Sequence, residues 1–108
     1  QITGSEKPDE IVLVGGHLDS WDLGVGAHDD GAGCIHSIEA LRLIKTLDLQ
    51  PKRTIRAVMF MNEEMTSTGG QVYADEAEKR GEVHYAALDA DCACFLMLSE
   101  GRHSFETW

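Results

Sequence analysis

Side chains that could bind a divalent metal ion follow each of three apolar segments of this chain. They are His17 and Asp19 after the first segment, Glu63 and Glu64 after the second, and Asp89 and Asp91 at the end of the third. One imidazole nitrogen combined with several carboxylate oxygens suits zinc, manganese or a similar divalent ion. The number of acids also suits a two-metal site, in which one carboxylate bridges ions about 3.5–4 Å apart.

The three apolar segments have the composition of buried β-strands. Residues 10–16 are an apolar, β-branched run closed by two glycines. Residues 53–61 end in a continuous apolar stretch that is typical of a central strand. Residues 83–89 predict a third strand, and residues 94–98 suggest a fourth element.

Two helices are predicted between these strands. A loop rich in glycine and aspartate covers residues 17–30, and Asp30 is a suitable N-cap for the helix that follows. The apolar residues of this helix recur at three-residue steps and form one stripe: Ile35, Ile38, Leu41, Ile44 and Leu47. A second helix is expected to start at Thr66 or Ser67 and to end at Gly81.

The alternation of strands and helices predicts a three-layer α/β fold with a mainly parallel sheet. The length of 108 residues is sufficient for one domain, residues 1–108. In such sheets, ligands bind beyond the carboxyl ends of the strands. The metal-binding candidates follow these ends, so we expect them to lie close together.

The charge balance excludes several classes of partner. The chain has 9 basic and 19 acidic residues and a net charge of −10, so nucleic acid is not an expected partner. No apolar run approaches the ~20 residues of a membrane-spanning helix, and we expect no membrane insertion. Cys34, Cys92 and Cys94 are an odd number without zinc-finger spacing, and we interpret them as packing residues.

Four sequence phrases together resemble one enzyme family. They are His17-Leu-Asp-Ser-Trp-Asp, Gly-Ala-His-Asp29-Asp30-Gly-Ala-Gly, Met-Asn62-Glu63-Glu64 and Asp89-Ala-Asp91. From about residue 10 to residue 106, the chain is similar to the co-catalytic zinc exopeptidases, which include bacterial zinc aminopeptidases and carboxypeptidase Q-like peptidases. The resemblance implies that the chain is the N-terminal part of a catalytic domain and is incomplete at its C terminus.

The resemblance also implies an activity. The family hydrolyses a terminal peptide bond through a metal-activated water, as an aminopeptidase or a dipeptidase acting on a peptide or dipeptide substrate. It implies Zn²⁺ as the cofactor, with two ions per complete catalytic domain, and an extracytoplasmic location, either secreted or periplasmic. The alternative is a non-catalytic binding module that retains the peptidase fold.

Carried over residue by residue, the resemblance assigns four metal ligands. His17 and Asp91 would bind one zinc ion, Glu64 would bind the second, and Asp29 would bridge both. Asp89 lies two residues before Asp91 and is an alternative to it.

The resemblance assigns the catalytic roles as well. Glu63 would be the general base, which takes a proton from the attacking water and passes it to the leaving amine. Asp19 would hydrogen-bond the ring of His17 and fix its orientation. The peptide bond between Asp29 and Asp30 is expected to be cis.

The chain departs from the family pattern in three places. After Glu64 the family usually has a glycine-containing turn, where this chain has Met65-Thr66-Ser67-Thr68. Around the last ligand it usually has a carboxylate pair followed by glycines, where this chain has Asp91-Cys92-Ala93-Cys94. The family's second zinc also takes a histidine well downstream of the matched region, and His103 is too close to Asp91 to replace it convincingly. We therefore expect the 108-residue chain alone to be inactive. Missing strands would also leave an open sheet edge, through which a homo-oligomer could form.

Overall fold

Strands and helices alternate along most of the chain. A computed structural model describes residues 1–91 and 96–98. The elements are β1 (Lys7–His17), α1 (Gly31–Thr46), β2 (Arg53–Phe60), α2 (Glu63–Thr66), α3 (Thr68–Lys79), β3 (Val83–Asp89) and β4 (Leu96–Leu98). The four-stranded sheet has the order β2-β1-β3-β4. β1 is parallel to both β2 and β3, and β4 is antiparallel to β3.

Helices cover both faces of the sheet. Gly16 of β1 faces α1, because a Cβ atom at this position would contact the carboxylate of Asp30, the N-cap of α1. Gly15 faces the opposite side, where a Cβ atom would contact the ring of Phe60. That ring packs edge-on against Tyr73 of α3, with 5.8 Å between the ring centroids. The predicted three-layer α/β fold with a mainly parallel sheet is confirmed.

The strand order differs from the prediction for residues 53–61. β1 has strand partners on both sides, whereas β2 pairs with β1 and has only an isolated bridge between Ile55 and Ile2 on its outer edge within the described residues. Within the described residues, β2 is therefore the edge strand of the four-stranded sheet, in contrast to the central position predicted for it. The apolar end of β2 packs against α3, where Phe60 contacts Tyr73. Association of two chains through an open sheet edge stays a prediction.

The first half of α1 packs on the sheet through small residues, so the predicted apolar stripe is only partly correct. The buried residues of α1 are Gly33, Cys34 and Ser37. Ile35 and Ile38 of the predicted stripe are 63% and 50% exposed, whereas Leu41 and Ile44 are half-buried. The Ser37 hydroxyl donates a hydrogen bond to the carbonyl of Gly15 at 3.1 Å. Close approach of α1 to the glycines of β1 therefore decides which face of the helix is buried.

The second predicted helix is divided into two parts. α2 is a single turn, Glu63–Thr66, that was not predicted, and α3 begins at Thr68 instead of Thr66 or Ser67. Ser67 separates them with a left-handed backbone, φ 52°. Gly81, with φ 65°, ends the helical region as expected. None of the helices in the described part of the chain is long and apolar enough to cross a membrane.

Candidate metal centre

Three of the four predicted metal ligands come together beyond the carboxyl end of the sheet. His17 is the last residue of β1, Asp29 lies in the loop before α1, and Asp91 follows β3. One potential ligand atom from each of these residues lies within 4.8 Å of the other two. Because β1 and β3 are parallel neighbours, their carboxyl ends meet at the same edge of the sheet. The bond between Asp29 and Asp30 is cis, as expected.

The ring of His17 is held in one orientation by the main chain of the following loop. The side chain is only 3% exposed, and its Nδ1 atom lies 3.0 Å from the carbonyl oxygen of Asp19. A carbonyl oxygen only accepts hydrogen bonds, so Nδ1 carries a proton and donates it. In the neutral ring, Nε2 then has a free electron pair. This tautomer can bind a metal ion through Nε2. Nε2 lies 3.1 Å from Oδ1 of Asp29.

This contact between His17 and Asp29 requires a positive charge. A neutral Nε2 atom and a carboxylate oxygen both present electron pairs and repel each other at 3.1 Å. A proton on Nε2 removes the repulsion, and a metal ion between the two residues would do the same. Burial lowers the pKa of His17, but the Asp19 carbonyl and the surrounding carboxylates outweigh burial, so the net shift of this pKa is upward.

The carboxylate of Asp19 has different partners from those expected. Its Oδ1 atom lies 3.6 Å from Nδ1 of His17, and Nδ1 donates its hydrogen bond to the main-chain carbonyl of Asp19 instead. The carboxylate accepts the main-chain N–H groups of Glu63 at 3.0 Å and Glu64 at 3.2 Å. Burial raises the pKa of Asp19, but these two hydrogen bonds contribute to a net lowering. Asp19 therefore links the loop after β1 to the first turn of α2.

The turn α2 lets two adjacent glutamates face the same site. Neighbouring side chains on a strand point to opposite faces, whereas those on a helix are about 100° apart. β2 ends at Phe60, and Glu63 and Glu64 begin α2. Oε2 of Glu63 lies 3.9 Å from Nε2 of His17, and the Glu63 side chain is 42% exposed. Burial and, next, the charge of Asp29 raise the pKa of Glu64.

Within the part of the chain that the structure describes, two carboxylate oxygens at this site are buried without a hydrogen-bond partner, Oε1 of Glu64 and Oδ1 of Asp91. Leaving a buried polar atom unpaired costs about 1–3 kcal/mol, so such atoms are normally satisfied. Oδ1 of Asp91 is also 3.9 Å from Nε2 of His17. A cation would satisfy both oxygens, and the combination of one imidazole nitrogen with carboxylates fits a divalent transition metal ion.

The other candidate ligands are not part of this group. Among the described residues, the group of three contains Asp91 and not Asp89. Asp89 lies on β3, where burial and, next, the charge of Asp91 raise its pKa to about 6. His103, Cys92 and Cys94 lie outside the described residues.

Comparison with known proteins identifies the family. The sequence model of Peptidase family M28 matches residues 1–95. The chain belongs to peptidase family M28. The resemblance to zinc exopeptidases and to carboxypeptidase Q-like peptidases is confirmed.

Named relatives of this M28 chain are much longer than the chain itself. It is 47% identical to carboxypeptidase Q of Rattus norvegicus and 46% identical to that of Homo sapiens, in both cases over 96 residues that make up 89% of this chain and 20% of the relative. A probable aminopeptidase of Saccharomyces cerevisiae is 30% identical over 115 aligned positions, which cover 95% of this chain and 30% of the relative. The chain therefore spans about a fifth of the length of the carboxypeptidase Q relatives.

Two contributions to the M28 site were not predicted from the sequence. The first is the main-chain carbonyl of Asp19, since a main-chain acceptor has no sequence signature. The second is the second hydrogen bond of Asp30, which accepts the N–H of His17 at 2.9 Å in addition to the predicted N-cap bond from Gly33 at 3.0 Å. The N-cap pattern in the sequence predicted the hydrogen bond of Asp30 to α1 but not its hydrogen bond to β1.

Proposed function

We propose that this M28 chain forms part of the active site of a zinc-dependent exopeptidase that hydrolyses a terminal peptide bond in a peptide or dipeptide substrate. The observation that carries the proposal is the convergence of His17, Asp29 and Asp91 within 4.8 Å. Two nearby carboxylate oxygens that are buried without partners support it. The names of the relatives, carboxypeptidase Q and a probable aminopeptidase, support exopeptidase chemistry of one of these types.

The residues of the site divide between two zinc ions. His17, Asp29 and Asp91 would hold the first ion, which gives it the three protein ligands that are usual for a catalytic zinc. Asp29 would also hold the second ion together with Glu64. When bound, zinc lowers the pKa of water and stabilises negative charge that develops on the peptide oxygen.

Glu63 is the general base in this proposal. Its side chain is 42% exposed beside the His17 ring, so a water molecule has access to its carboxylate. Glu63 accepts a proton from the water as the water oxygen attacks the peptide carbon, and it donates a proton to the amine nitrogen as the C–N bond breaks. Asp19 supports this step by binding the amides of Glu63 and Glu64. Its carbonyl keeps the proton of His17 on Nδ1.

The two glutamates test the division of roles. Glu63→Gln should lower kcat by about 10²–10⁴-fold, because a general base is lost, while zinc content stays close to that of the unchanged protein. Glu64→Gln is the matched variant, and it should weaken zinc binding because a proposed ligand is lost. Because we expect the 108-residue chain alone to be inactive, zinc content and turnover of aminoacyl and dipeptide substrates are measured for both variants in a longer protein that includes the rest of the catalytic domain. Loss of zinc in Glu63→Gln alone would require the two roles to be exchanged.

Metal binding also has a thermodynamic signature. An ion that binds only the folded state stabilises it by about 2.7 kcal/mol at a concentration of 100 Kd. Thermal melts with added zinc and with a chelator should therefore differ in midpoint. Identical midpoints would refute the metal site. Tight zinc binding without turnover of any terminal peptide bond would favour the binding module over the enzyme.

A further inference from the structure

Asn62 connects the end of β2 to the glutamates through an unusual backbone and two side-chain hydrogen bonds. Its φ is 63° and its ψ is 34°, which is the left-handed region that asparagine tolerates better than most residues. Its amide nitrogen donates to Oγ1 of Thr66 at 2.5 Å and to Oγ1 of Thr68 at 2.6 Å. These three side chains, which we call the Asn62 latch, join the residue before α2 to the last residue of α2 and the first residue of α3.

The latch holds the end of a short helix that is not buried. α2 has four residues and none of them is buried. One turn of helix is unstable by itself, because nucleation fixes several backbone angles for a single hydrogen bond. At the start of α2, the carboxylate of Asp19 accepts the amides of Glu63 and Glu64. At its end, the latch acts together with the N–H and the hydroxyl of Ser67, which both donate to the carbonyl of Glu63 at 3.3 Å.

We propose that Asn62 is a positioning residue that holds α2, and with it the carboxylates of Glu63 and Glu64, at the metal centre. The inference rests on the proposed function for its catalytic consequence. The left-handed backbone of Asn62 ends the strand direction of β2, and the bonds to Thr66 and Thr68 keep the four residues of α2 in one turn. Both glutamates lie inside the segment that the latch closes, so a shift of α2 moves both together.

The central variant is Asn62→Gly, because glycine adopts the left-handed backbone at no steric cost and removes the side chain that makes the latch. Asn62→Gly should lower kcat by roughly 10–100-fold with little change in KM, since misplacement of catalytic groups by about 1 Å costs about 100-fold. Zinc affinity should fall about 10-fold, as is typical when a residue that supports a ligand is lost. Hydrogen exchange at the amides of Glu63 and Glu64 should become faster.

Two further variants separate the latch from general damage. The double variant Thr66→Val with Thr68→Val removes the acceptors and leaves Asn62 in place, and it should reproduce the effects of Asn62→Gly. The triple variant, with Asn62→Gly, Thr66→Val and Thr68→Val, should lose little more activity than Asn62→Gly alone, because both sets of changes break the same interaction. Asn62→Asp is the conservative variant, because its carboxylate can accept hydrogen bonds from the two threonine hydroxyls. Hydrogen exchange at the amides of Glu63 and Glu64 should therefore be much slower in Asn62→Asp than in Asn62→Gly.

The outcomes distinguish the latch from the proposed function. Unchanged kcat, zinc affinity and exchange in Asn62→Gly would overturn the inference, as would a threonine double variant that behaves like the unchanged protein. All kinetic and zinc measurements use the longer protein that includes the rest of the catalytic domain, and if that protein without substitutions neither binds zinc nor hydrolyses peptides, the proposed function fails. In that case exchange at Glu63 and Glu64 still decides whether the latch holds α2.

Discussion

Asp30 should be one of the most important side chains for stability, although it is not a proposed metal ligand. It is fully buried, with 0% exposure, and each of its carboxylate oxygens accepts one main-chain hydrogen bond. One bond comes from the N–H of His17 at the end of β1, at 2.9 Å, and the other from the N–H of Gly33 in the first turn of α1, at 3.0 Å. Asp30 therefore joins the central strand to the helix that packs on it.

The variant Asp30→Asn replaces one accepting oxygen with a donating NH₂ group and changes no other part of the shape. Asparagine can accept only one of the two hydrogen bonds, and its NH₂ group then faces the other N–H donor. A hydrogen bond to a charged group contributes about 1.5–3 kcal/mol, and a buried unpaired donor costs about 1–3 kcal/mol. We expect Asp30→Asn to lose about 2–4 kcal/mol of the free energy of unfolding, a large share of the total for a typical domain.

Urea unfolding in the presence of a chelator measures this loss without a contribution from bound metal. Asp9→Asn is the matched control, because Asp9 is an exposed residue of the same strand, β1, and its change should be within about 0.5 kcal/mol. If Asp30→Asn cost less than about 1 kcal/mol with an unchanged m-value, the assignment of both hydrogen bonds to stability would be wrong.

Two further predictions concern the stability of the fold. Arg56 lowers the pKa of Glu82 from 4.5 to about 2, so this ion pair stabilises the fold fully above about pH 4.5 and loses its effect as the pH falls toward 2. Glu82→Gln should therefore lower the free energy of unfolding by about 1–3 kcal/mol at pH 6 and by much less at pH 3 in denaturant titrations, and an equal loss at both pH values would contradict the role of the ion pair. Gly33→Ala should destabilise the protein by about 1–3 kcal/mol, because the added Cβ atom meets the carboxylate of Asp30 and, at 2.5 Å, the carbonyl oxygen of Ala90. Gly70→Ala is its control, since Gly70 lies in α3 with open space around it, and it should gain up to about 1 kcal/mol in the same measurement.

Local sequence signals predicted the elements of the fold well. The strands at 10–16, 53–61 and 83–89 correspond to β1, β2 and β3, because short runs rich in apolar residues have few other stable conformations. The sequence predicts Asp30 as an N-cap because its side chain acts within one turn. The candidate metal ligands at the strand ends were also visible, since parallel strands bring their carboxyl ends to one edge.

Non-local packing decided what the sequence pattern could not. Ile35 and Ile38 of the predicted stripe are exposed because α1 approaches the glycines of β1 through its small residues. The position of β2 beside β1, away from the centre of the sheet, depends on pairing between distant strands, which no local pattern specifies. The carbonyl of Asp19 binds His17, and its carboxylate binds α2, because the unpaired amides of a helix start compete for the nearest acceptor. The residue types were thus sufficient to indicate a metal centre, whereas the orientation of each side chain depended on main-chain donors and acceptors that only the folded chain brings into contact.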